Sequence, residues 1–81
     1  MTVWTYANTY EYGHSIHVFA TKEKALKHAC SVIKETLSLV SDDKDLVKLE
    51  SLLETNYEKA IQYWNGLDVN DYFDIEEKEV Q

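Results

Sequence analysis

Eighty-one residues bound a single domain, 1–81, whose core is adequate but not generous. A hydrophobic share of 44% argues against disorder, and no apolar run approaches the ~20 residues that a membrane span needs. Fifteen acids against eight lysines give a net charge of −7 with no arginine, which speaks against direct nucleic-acid binding and against anionic lipid surfaces.

The natural partner for such a charge is a protein with a basic surface. The acids are also unevenly placed. Residues 1–41 hold four lysines and three acids, residues 42–64 three lysines and six acids, and residues 65–81 one lysine and six acids. The negative field therefore belongs to the C-terminal half. The first residues lack the basic and apolar blocks of a signal peptide, and a lone cysteine, Cys30, cannot close an internal disulfide. Both fit a cytoplasmic protein, in the host cytoplasm if phage-encoded.

Thr2–Thr9 and Ser15–Ala20 are rich in β-branched and aromatic residues, with Gly13 between them, which predicts a hairpin over residues 2–20. Thr21 stands where an N-cap belongs. Leu26, Ala29, Cys30, Ile33, Leu37 and Val40 then step by three and four, predicting a helix over 22–40. Ser41 or Asp42 can cap a second helix, and the stripe Leu46, Leu49, Leu53, Tyr57, Ala60, Trp64 carries it over 43–64 to Asn65-Gly66. The acidic end, with Phe73, Ile75 and Val80, reads as a third strand over 72–80. The order ββααβ predicts a two-layer α+β domain, a small antiparallel sheet packed on an antiparallel helix pair.

Alternation along the hairpin sorts its side chains. A two- or four-residue loop puts Val3, Thr5, Ala7, Thr9, Ile16, Val18 and Ala20 on one face and Trp4, Tyr6, Asn8, Tyr10, His17 and Phe19 on the other. If the helices cover the small residues, then Trp4, Tyr6, Tyr10, His17 and Phe19 form a solvent-facing, partner-binding platform. If they cover the aromatics, those rings are the core. A three-residue loop would mix the two sets.

The candidates for chemistry are few. His14, His17, His28 and Cys30 have no recognised zinc spacing, so no metal and no cofactor is expected. Cys30 lies on the apolar stripe, where a thiol is inert, and no carboxylate sits in an apolar stretch, so no catalytic residue is assigned. Glu50, Glu54 and Glu58 fall at i, i+4 and i+8 on the second predicted helix without a lysine to offset them. Together with Asp68, Asp71, Asp74, Glu76 and Glu77 they are the candidate acidic partner-binding surface.

In size, acidity, helix-and-hairpin build and lack of catalytic motifs, the chain resembles the small anti-defence proteins of phages and mobile elements, anti-CRISPR proteins among them. That resemblance implies a stoichiometric inhibitor, a nucleic-acid mimic whose carboxylates occupy a Lys/Arg surface normally used by DNA or RNA. The expectation is a non-enzymatic protein-binding module. The alternative is a self-associating structural or adaptor protein, a homodimer formed through the aromatic hairpin face or a strand edge.

Overall fold

The computed structural model describes residues 1–67 and 69–80. The elements are β1 (Thr2–Tyr10), β2 (Gly13–Phe19), α1 (Lys22–Glu35), a short 3-10 turn (Leu37–Leu39), α2 (Asp43–Thr55), α3 (Tyr57–Asn65) and β3 (Asp71–Glu79). The fold is α+β, with three antiparallel strands in the order β2-β1-β3.

A two-residue loop, Glu11-Tyr12, closes the hairpin by pairing Tyr10 with Gly13. Even-numbered residues of β1 therefore share a face with odd-numbered residues of β2, and the β3 register adds Asp71, Phe73 and Ile75 to that face. This is the face the helices cover. Tyr6 is 1% exposed and Phe73 2%, whereas Ile16 and Val18 on the opposite face are 64% and 62% exposed.

The platform arrangement, with helices over the small residues, is thus reversed. The reason is where the small residues sit. Ala25 and Ala29 of α1 and Ala60 of α3 are wholly buried, so the helices supply the flat surface and the sheet supplies the volume. Tyr6 packs against Phe73, Phe19 and His28 with ring centroids 5.9, 6.1 and 4.9 Å away, within the range of favourable tilted and edge contacts. The helices on the sheet are α1 and α3, and α2 packs on α3, adding Leu49 and Leu53 to the core.

The helices depart from expectation at two places. The first ends at Glu35 rather than residue 40, because the Thr36 hydroxyl turns back to donate to the carbonyls of Val32 (2.9 Å) and Ile33 (3.3 Å) and the chain tightens into the 3-10 turn. The second predicted helix is two helices. Asn56 takes an extended conformation (φ −155°, ψ 96°) and its side chain accepts a hydrogen bond from the Lys59 amide at 3.1 Å, so it ends α2 and caps α3.

The sheet's β3 edge is held by one side chain. Asn65, the last residue of α3, donates from Nδ2 to the Phe73 carbonyl and accepts the Phe73 amide on Oδ1, both at 2.8 Å. The amide group thus stands in for a neighbouring strand. At the far end of the same strands the Val80 amide donates to the Met1 carbonyl at 2.8 Å. Asn65→Ala removes both bonds to Phe73 and leaves a half-buried main chain unpaired, so it is expected to cost about 2 kcal/mol, seen as a lower urea midpoint with an unchanged m-value.

Candidate functional site

The sequence-predicted acids do not gather on one surface. Glu50 and Glu54 are exposed on α2, but Glu58 lies past the break at Asn56 and pairs with Lys22 at 3.0 Å. The single row of three glutamates therefore does not form. Asp74 and Glu76 lie on the open sheet face, Glu76 paired with Lys78 at 3.0 Å, and Glu77 is exposed opposite Trp4. Asp68 lies outside the described residues.

The aromatic set is also divided. Tyr6 belongs to the core. Trp4 is half-buried with the Lys22 ammonium 5.5 Å from its ring centroid, and Phe19 is half-buried beside His28. His17 is exposed, 3.0 Å from the Ser15 hydroxyl and 5.0 Å ring to ring from His28. Tyr6, Phe19 and Trp4 turn toward the helix layer, so these five residues do not make a free platform.

Two members of the predicted sets do meet, at the hairpin tip. Tyr10 and Asp71 are cross-strand neighbours, and both line a cleft of about 380 Å³. Its apolar walls are Tyr10 and Tyr12 from the hairpin, Val32 near the end of α1, Leu39 from the 3-10 turn and Val69. Asp71, only 8% exposed, and the exposed Glu11 line the same cleft. Asn8, buried on the neighbouring strand, donates from Nδ2 to Asp71 Oδ1 and to the Tyr72 carbonyl at 3.2 Å. Asn70, just before the strand, holds a left-handed backbone (φ 57°) that asparagine tolerates better than most residues.

Among the described residues no cation pairs with Asp71. The ion pairs among the described residues are Lys22–Glu58, Lys27–Glu23 and Lys78–Glu76, all elsewhere. A carboxylate in a largely buried residue, with one amide beside it, is a candidate position for a cationic ligand. Asn8 was the signal for it in the sequence: in the alternation Trp4, Tyr6, Asn8, Tyr10 it is the one polar residue on the buried phase. A buried amide needs a partner, and here the partner is Asp71.

Burial, and secondarily the Asp71 charge, push the Tyr6 hydroxyl up to about 12. Burial likewise raises the Cys30 thiol to about 11, partly offset by Lys34, so the thiol stays protonated and non-nucleophilic at neutral pH. Its Sγ lies 3.8 Å from the Tyr57 carbonyl, beside the break between α2 and α3. Among the described residues no group of three His, Cys, Asp or Glu side chains could hold a metal ion, and no helix is long and apolar enough to cross a membrane. No family model matches the chain, and comparison with curated proteins and with solved structures gave no match.

Both raised groups favour the fold while protonated. Their stabilisation is complete below the unfolded values, 9.0 for the thiol and 10.0 for the phenol, and is lost as pH climbs toward 11 and 12. Asp71→Asn keeps the oxygen that Asn8 reaches while removing the charge. It is expected to lower the Tyr6 ionisation from about 12 part of the way toward 10.0, read by ultraviolet absorbance.

Proposed function

We propose that this protein is a non-enzymatic binding module that captures a basic protein partner, with the hairpin-tip cleft receiving one cationic side chain. The observation that carries this reading is Asp71, a largely buried acid lining a mostly apolar cleft that Glu11 also lines, with no cation paired to it among the described residues. A lysine or arginine side chain matches the cleft in two respects. Its aliphatic stem suits the walls of Val32, Leu39 and Val69, and its charged head suits Asp71 beside the rings of Tyr10 and Tyr12. The exposed acids Glu50, Glu54 and Asp74 add long-range attraction, which speeds encounter without fixing orientation. In its sharper form the reading makes the partner surface one that nucleic acid normally occupies, and the protein an inhibitor of the anti-defence kind that it resembles.

The smallest test uses side-chain analogues. Butylguanidinium and butylammonium are expected to shift the Asn8 side-chain amide and the Tyr12 and Asn70 backbone amides in NMR titrations, saturably, while butyrate does not. Asp71→Asn is expected to weaken the cations at least tenfold, a loss of about 1.4 kcal/mol. Equal shifts from cation and butyrate, or an unchanged affinity in Asp71→Asn, would remove the reading. Added salt is expected to weaken the cations, as a charge-driven contact requires.

A further inference from the structure

The two edges of the sheet are treated differently. The β3 edge is occupied at Phe73 by the Asn65 amide, and its strand carries Glu76, Glu77, Lys78 and Glu79, the charges that commonly keep edges from pairing. β2, "GHSIHVF", has no Asp, Glu, Lys or Pro along its seven residues. Its side-chain hydrogen bond, Ser15 to His17, lies within the strand itself. By the usual criteria β2 is an open pairing edge.

Hydrogen-bond phase says which groups are free. A two-residue loop closes on a bonded pair, here Tyr10 and Gly13, so Gly13, Ser15, His17 and Phe19 turn their main-chain groups toward β1. His14, Ile16 and Val18 turn theirs outward. The far edge confirms the phase: Asn8 is bonded toward β2 at its Ser15 pair, and its β3 neighbour Phe73 accordingly points its main chain out to Asn65.

We propose that β2 pairs with β2 of a second copy, antiparallel and centred on Ile16, giving a two-fold dimer with a continuous six-stranded sheet. This register uses the whole strand. Ile16 faces Ile16 of the second copy, His14 faces Val18, Ser15 faces His17, and Gly13 faces Phe19. Every outward-bonding residue meets an outward-bonding residue, for about six main-chain hydrogen bonds.

The side chains agree with it. On the open face the exposed Ile16 and Val18 of both copies collect around the axis. On the helix face Phe19 stands over a glycine, the arrangement known to shield edge glycines, and Ser15 meets His17, the pair that already bonds at 3.0 Å within one chain. Charge does not oppose it, because the acidic β3 lies two strands away, roughly 10 Å and about one Debye length in physiological salt. The contact is small, so a dimer at the weak end of specific interfaces is expected.

Cysteine cross-linking reads the register directly. Ile16→Cys is expected to form a disulfide-linked dimer under mild oxidation. Val18→Cys is not, because two such residues lie roughly 13 Å apart along the strands, beyond disulfide reach. Buried Cys30 stays in place in both. In sedimentation equilibrium the wild type is expected to dimerise more strongly as salt rises. Ile16→Lys is expected to weaken the dimer at least tenfold, while Glu76→Lys on the opposite edge does not weaken it. A wild type that stays monomeric at millimolar concentration would overturn the proposal, as would equal linking of the two cysteine variants.

Discussion

Everything in this fold depends on the length of one loop. With two residues, Glu11 and Tyr12, between the strands, Tyr10 pairs with Gly13 and the parity of the whole hairpin is fixed. Because side chains alternate with period two, that single number decides that Tyr6 is in the core and Ile16 is in water. One more residue in the loop would move the rings of one strand to the face opposite those of the other. The same choice sets the hydrogen-bond phase, so it also determines which main-chain groups of β2 are left without partners.

The helical layer is the complement of that choice. Large rings on the sheet require small residues on the helices, and Ala25, Ala29 and Ala60 provide them. Trp64, wholly buried on α3, shows the cost of filling space this way: its indole N–H has no acceptor among the described residues, a penalty on the order of 1–3 kcal/mol set against the apolar area of the ring. In the cleft the compromise is different. Asp71, 8% exposed, is met there by the side-chain amide of Asn8, so two polar groups share a position that the neighbouring strand positions fill with rings.

How much of this was legible in the sequence follows from the physics of each signal. The hairpin, the caps at Thr21 and Asp42, and the third strand follow from local patterns, and local patterns are what sequence shows. The break at Asn56 is hidden because Leu53, Tyr57, Ala60 and Trp64 keep their helical spacing through it, so periodicity continues where hydrogen bonding does not. Tyr10 and Asp71 could each be named as partner-binding residues, but not as neighbours. Their pairing depends on β3 returning to β1, a contact between residues 61 positions apart for which no local signal exists. The row of Glu50, Glu54 and Glu58 is interrupted at the Asn56 break, past which Glu58 lies on α3 and pairs with Lys22.

The bond from the Val80 amide to the Met1 carbonyl brings both described ends of the chain to one corner of the sheet. The cleft lies at the other end of the same strands, about 30 Å away for nine-residue strands. The molecule therefore has a head and a handle. A tag or surface linkage joined at Met1 therefore starts at the handle, at the opposite end of the strands from Asp71.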